Sequence, residues 1–223
     1  MNSGIIFSNV SFSYLKNQPV LTNLNFHIKS GDFFTITGIN GSGKSTLTYM
    51  LNGLIPHQIK GHFSGQVTID SISTREKPVS FFAAKVGLVF QNPDFSLFNL
   101  TVKEELAFGL KNLHQDNPDQ KIEKALKQVR MFKYLNRDPQ SLSFGQKQKI
   151  CLACVLALNP DYLVLDEPTA MLDHPSAVEL YQILNQLNQQ GKTIIVVEHH
   201  QEFIAKFSKT TLNLHQGQIH EPV

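Results

Sequence analysis

The segment Gly38-Ile39-Asn40-Gly41-Ser42-Gly43-Lys44-Ser45 places the tightest limit on what this chain can fold into. A glycine-rich loop that ends in Lys-Ser can cradle phosphate only between a buried strand and the start of a helix, where backbone N–H groups and the helix dipole face the anion. Both flanks are present. Phe33 to Thr37 reads as a strand, and Lys44 to Asn52, stopped by Gly53, reads as a helix. Gly38, Asn40, Gly41, Ser42 and Gly43 supply the phosphate-binding turn, and Thr46 belongs to the same set. Lys44 is placed to reach the outer phosphates and Ser45 to ligate Mg2+.

Tyr162-Leu163-Val164-Leu165-Asp166-Glu167 is an apolar strand that ends in two acids. Beside a phosphate loop, Asp166 is the expected metal carboxylate, which frees Glu167 to polarise a water as general base. Leu142-Ser143-Phe144-Gly145-Gln146 precedes that strand, and Ser143 with Gln146 forms a capping box at the start of a helix read as Lys147 to Leu158. Such a start favours anions. Gln91-Asn92-Pro93-Asp94 leaves the strand Val86 to Phe90, and His199 follows the strand Thr193 to Val197 with Glu198 between.

The remaining periodicity is mixed. Val10, Phe12 and Tyr14 alternate with serines, and Leu24, Phe26 and Ile28 alternate with polar residues, which predicts a half-exposed sheet edge. Val67 to Ile69 reads as a short strand, and after Phe90 the pattern turns helical for roughly seventy residues. Thr101 and Glu104 make a second capping box, Pro118 follows Asn117 at a helix start, and Ile122, Ala125, Leu126 and Val129 share one face. Ala177, Leu180, Tyr181, Leu184 and Leu187 line one face of a helix read as Ser176 to Gln190, and Leu212 to Ile219 is hairpin-like. The expectation is an α/β fold: a P-loop NTPase core with a mostly parallel sheet, an N-terminal antiparallel β-subdomain and a helical subdomain inserted at about 92–158 of a single 1–223 domain.

Composition removes several function classes. Charged residues make up 17% and hydrophobic residues 41% of 223, with a net charge of +2, so neither disorder nor a basic face for nucleic acid is expected. The longest apolar run, Ile150 to Leu158, is half a membrane span. Cys151 and Cys154 are expected as reduced, buried packing residues, and the nine histidines include only one adjacent pair, His199-His200, with no ligand spacing to cysteine.

Taken together and in this order, these motifs resemble the ATP-binding cassette ATPases over essentially the whole chain. The resemblance implies ATP and Mg2+ as cofactors. It implies that Tyr14, with Phe12 as the alternative, stacks on adenine, that Gln91 links nucleotide, metal and membrane partner, and that Ser143, Gly145 and Gln146 contact ATP across a dimer. Asp173 is similar to the aspartate of the dimer-crossing loop, and His199 to the switch histidine on the terminal phosphate. Gly53 to Pro56, Val89 to Asp94, Thr101 to Leu110 and Val197-Glu198-His199 resemble the ATPases of energy-coupling factor (ECF) importers, which take up vitamins or transition-metal ions. A second ATPase subunit and integral membrane subunits are the implied partners, at the cytoplasmic face of the membrane, and Phe95, Leu97 and Phe98 are candidates for the docking surface or for core. Departures are Phe144 in place of a second signature glycine, Lys149 where arginine is common, and Ala170 to Asp173 without a common serine. The competing readings are a soluble cassette ATPase of DNA repair or translation, and a P-loop kinase.

Overall fold

The computed structural model describes residues 4–220. In chain order the elements are β1 (Gly4–Ser13), β2 (Leu21–Lys29), β3 (Phe33–Thr37), α1 (Lys44–Leu51), the one-turn α2 (Leu54–His57), β4 (His62–Ile69), β5 (Ile72–Ser73), α3 (Val79–Ala83) and β6 (Val86–Val89). There follow α4 (Val102–Asn112), α5 (Pro118–Gln128), α6 (Phe144–Ala157), β7 (Tyr162–Asp166), α7 (His174–Gln189), β8 (Thr193–Val197), α8 (Gln201–Phe207), β9 (Thr210–His215) and β10 (Gln218–His220). Among these, no helix is long and apolar enough to cross a membrane.

Two sheets organise the chain. One is antiparallel, in the order β2-β1-β4-β5, and the other runs β10-β9-β3-β8-β7-β6 with every pairing parallel except β10 with β9. The parallel strands are buried on both faces, which explains their unbroken apolar runs. Leu163, Leu165, Ile194 and Val196 face a core shared with α4 to α8, whereas Tyr162, Val164, Ile195 and Val197 face a core shared with α1 and the antiparallel sheet. In the helical insert Ile122, Ala125 and Leu126 of α5 join the first core, each of the larger two contributing about 1.5–3 kcal/mol by burial.

Several boundaries differ from the sequence reading. β1 is an interior strand, paired with β2 on one side and β4 on the other, so of these first two strands β2 alone is an edge. β4 begins at His62, five residues before the expected Val67; its burial alternates through Phe63, Gly65, Val67 and Ile69, but Gly65, opposite the bulged Asn9 and Val10 of β1, has no side chain to carry the apolar pattern. The long helical stretch is interrupted by short 3-10 turns at Pro93–Phe95, Phe132–Tyr134 and Pro139–Ser141. α6 starts at Phe144 and α7 at His174, since Ser143 and Asp173 are their N-caps. Leu97 is core at 4% exposure, while Phe95 and Phe98 are 89% and 64% exposed. Both cysteines are free, Cys151 buried and Cys154 partly so, and burial pushes the Cys151 thiol up to about 12.

Candidate functional site

The carboxyl ends of four parallel strands converge, the usual ligand position of an open α/β sheet. β3 delivers the phosphate loop, β6 delivers Gln91, β7 ends on Asp166 and Glu167, and β8 leads to His199. α1 starts with no side chain bonding its first N–H groups, which leaves them free for an anion. Backbone crowding demands the glycines. A Cβ on Gly38, at φ 146°, would lie 2.1 Å from Leu214 O, and one on Gly43, at φ 103°, would lie 2.7 Å from Leu21 Cδ2. The Ser42 hydroxyl is buried without a hydrogen-bond partner among the described residues, so a polar group sits ready in the cradle.

Lys44, 6% exposed, donates through Nζ to Gly38 O at 2.9 Å and Ile39 O at 3.1 Å. Its ammonium also lies 3.7 Å from Glu167 Oε1. Glu167 is the convergence point. Gln91 Nε2 donates to its Oε2 at 3.1 Å and His199 Nε2 approaches its Oε1 at 2.9 Å, although Gln91 and His199 lie 76 and 32 residues away in sequence. The backbone at Glu167 is left-handed, φ 45°, a conformation that costs a non-glycine residue on the order of 1–3 kcal/mol and is held here by those contacts. Burial pushes the neighbouring Asp166 carboxyl up, reinforced by the Glu167 charge and opposed by the Ser45 hydroxyl and Lys44. A cavity of about 430 Å³ is lined by Asn40, Gly41, Lys44, Ser45, Gln91 and Glu167, among others.

Other expected site residues do not themselves line that cavity, although Tyr14 bonds to Thr46, which does. Tyr14 lies just beyond β1, half exposed, with its hydroxyl 2.9 Å from Thr46 Oγ1 and its ring edge-on to Phe12 at 5.0 Å. Phe12 itself is buried, so its faces are not free to stack on a base. The capping box at Ser143 is complete: Gln146 N donates to Ser143 Oγ and Ser143 N donates to Gln146 Oε1 at 3.1 Å. Gln146 Nε2 donates to Tyr134 OH at 2.9 Å, which uses one of its two amide hydrogens. Asp173 accepts from Ser176 N at 3.1 Å, and the Ser176 hydroxyl and amide hold its carboxyl below the usual carboxylate range. None of Ser143, Gly145, Gln146 and Asp173 lines the cavity around Lys44 and Glu167.

Residues 21–170 match the protein family described as ABC transporter. The chain belongs to this family. A Pyrococcus horikoshii protein described as an ABC transporter ATP-binding protein is 45% identical over 214 residues, covering 94% of this chain and 75% of its own. CbiO1 from Clostridium perfringens, part of the ABC transporter complex CbiONQ, superposes with a TM-score of 0.88 at 28% identity, over 99% of this chain and 88% of that one. The cassette MJ0796, solved as a dimer in a post-hydrolysis state with ADP and Pi, superposes with a TM-score of 0.83 at 30% identity over 97% of both chains. This ABC ATPase accordingly binds and hydrolyses ATP on an α/β cassette with a helical insert.

Two groups of residues in this ABC ATPase escaped the sequence reading. Glu198 gathers five donors, among them the His199 amide, signalled in sequence only by an acid that follows an apolar strand. Lys147 reaches Asp94 across 53 residues, a pairing for which the sequence holds no local signal.

Proposed function

We propose that this ABC ATPase is the motor subunit of an ECF-type importer for a vitamin or a transition-metal ion. It works as a pair of cassettes docked on integral membrane subunits at the cytoplasmic face. The observation that carries the reading is an apolar groove of about 470 Å³ beside the loop that leaves β6 at Gln91. Phe90, Phe95, Phe98 and Phe108 are exposed along it, and Cys154, Val155 and Leu158 of the helical insert line it. An apolar helix end of a membrane subunit fits such a groove, and CbiO1 is described as part of a transporter complex. Closure of an ATP-bound pair would move the groove through the Gln91 loop.

The residues present fit ATP with Mg2+. The uncapped start of α1 and the unpartnered Ser42 hydroxyl suit phosphate, and the buried Asp166 with the Ser45 hydroxyl offers hard oxygen donors. Ser45, Gln91 and Asp166 would hold Mg2+, which when bound neutralises charge on the phosphate oxygens. Lys44 binds the outer phosphates, with Gly38, Asn40, Gly41, Ser42, Gly43 and Thr46 around them. Tyr14 stacks on adenine, having one ring edge anchored on Phe12. Glu167 takes the proton of the attacking water, and His199 holds the terminal phosphate beside it. Ser143, Gly145 and Gln146, remote from this chain's own cavity, face the nucleotide of the second cassette, and Asp173 lies on the crossing loop between the two.

Two experiments test the reading. With ATP, Glu167→Gln should convert the monomer to a dimer in light scattering, and Ser143→Arg, which places a bulky charge at the α6 start, should abolish the shift. Phe98→Asp should release the protein from detergent-solubilised native membranes while ATP binding persists. Recovery of ribosomes or DNA-repair proteins, with no membrane protein, would instead establish the soluble-cassette alternative.

A further inference from the structure

Glu198 immediately follows β8 and is 2% exposed, a site that ordinarily excludes a carboxylate. Its two oxygens are fully occupied. Oε1 accepts from His199 N at 2.8 Å, His200 N at 2.9 Å and His200 Nδ1 at 2.8 Å, and Oε2 accepts from Thr169 Oγ1 at 2.7 Å and Tyr181 OH at 2.9 Å. These donors belong to three separate segments. His199 and His200 leave β8, Thr169 stands two residues after Glu167 and four before Asp173, and Tyr181 lies on α7, which Asp173 caps. Burial opposes the charge, yet the His200 amide, the Thr169 hydroxyl and the other donors outweigh it and hold the carboxyl below its ordinary range.

Only an acceptor on both oxygens satisfies this set. An amide can keep its oxygen on the three N–H groups, but then turns its NH2 toward two hydroxyls and reverses both of those bonds. A core position next to Val196 and Val197 would be filled as well for packing by another aliphatic residue, so the carboxylate answers to what it holds rather than to burial.

We propose that Glu198 is a positioning residue, a buried crossbar that fixes the backbone of His199 against the Glu167–Asp173 segment so that the His199 and Glu167 side chains meet. The 2.9 Å contact between His199 Nε2 and Glu167 Oε1 joins the same two segments, since Glu198 holds the His199 amide on one and Thr169, two residues after Glu167, on the other. Through Thr169 and Tyr181 the same carboxylate links the His199 turn to the loop that ends at Asp173. The inference rests on the reading above of His199 and Glu167 as the groups acting on phosphate and water.

The test compares Glu198→Ala, Thr169→Val and Thr169→Ser, each alone and with His199→Ala, by ATP turnover, KM for ATP and thermal melting. Glu198→Ala should lower kcat roughly 10- to 100-fold with KM within about threefold, the pattern of lost transition-state alignment. Thr169→Val should lower kcat about 3- to 10-fold and Thr169→Ser, which returns the hydroxyl, should restore it. In the His199→Ala background, Thr169→Val should change single-turnover rates less than about twofold, because residues acting through one another are not additive. Multiplying losses in that background, equal behaviour of the Val and Ser variants, or a rise in KM with kcat intact would each overturn the crossbar. Should Glu198→Ala not fold, the Thr169 pair decides alone. A His199→Ala protein that turns over at the parent's rate would overturn the reading of the site itself, a failure distinct from that of the crossbar.

Discussion

Lys147 Nζ donates to Asp94 Oδ1 at 2.6 Å and to Gln140 Oε1 at 3.1 Å, so the loop leaving β6 past Gln91 is tied to the helix that Ser143 caps. Gln140 Nε2 closes the link by donating to Leu97 O at 2.8 Å. The ion pair is half exposed on the Asp94 side and contributes little to stability, about 0–1 kcal/mol. Its proposed consequence is mechanical, since it ties the loop assigned above to nucleotide sensing to the helix start assigned above to the second cassette. Lys147→Met should therefore leave the thermal midpoint nearly unchanged. It should lower turnover of the assembled transporter about 2- to 30-fold, the range of typical coupling energies. An unaltered rate in the membrane complex would count against the link.

Glu167→Gln keeps the shape of the side chain and removes the proposed base. Turnover should fall on the order of 100- to 10,000-fold while ATP binding persists, the usual contribution of a general base. Parallel measurement of hydrolysis and of nucleotide binding checks this, and parent-like turnover would refute the assignment.

Phe144 tests which signature position needs to be small. Gly145 packs on the start of α7 and the loop before it, where a Cβ would lie 3.1 Å from Ser176 Oγ and 3.6 Å from Leu172 Cδ2, whereas Phe144 is the half-buried first residue of α6. Phe144→Gly should change turnover only modestly. A loss beyond about 100-fold, nearly 3 kcal/mol, would place Phe144 against the nucleotide or the opposing loop.

Glu198 also sets an acid limb of stability. Its folded carboxyl ionises below the ordinary value of 4.5, so its stabilisation is complete above that pH and is lost as pH falls through the lower folded value. The groups facing it are His199, His200, Thr169 and Tyr181. Thermal melts from about pH 6 down to about pH 3 should show a shallower acid loss for Glu198→Gln than for the parent. Identical slopes would mean that the carboxyl titrates alike in folded and unfolded chains.

The phosphate loop, the Ser143 capping box and the doubly buried strands were legible in the sequence because each is local. A turn needs glycines at fixed offsets, a cap needs Ser and Gln three apart, and a strand buried on both faces must be apolar throughout. The same locality explains the misreadings. Alternation in β1 records that one face is buried and says nothing of whether a neighbour pairs on each side, and Gly65, having no side chain, leaves a gap in the apolar pattern of β4. Leu97 and Phe98 are adjacent apolar residues, and only packing against the helical insert sends one into the core and the other outward. The hydrogen bonds that converge on Glu167 and Glu198 join residues up to 76 apart, the Lys44–Glu167 ion pair joins residues farther apart still, and their donors and acceptors meet only when four strand ends are brought side by side. Residue types and short spacings thus determined which chemistry this chain carries, and strand order, a non-local outcome of burying both faces of one sheet, decided which side chains carry it together.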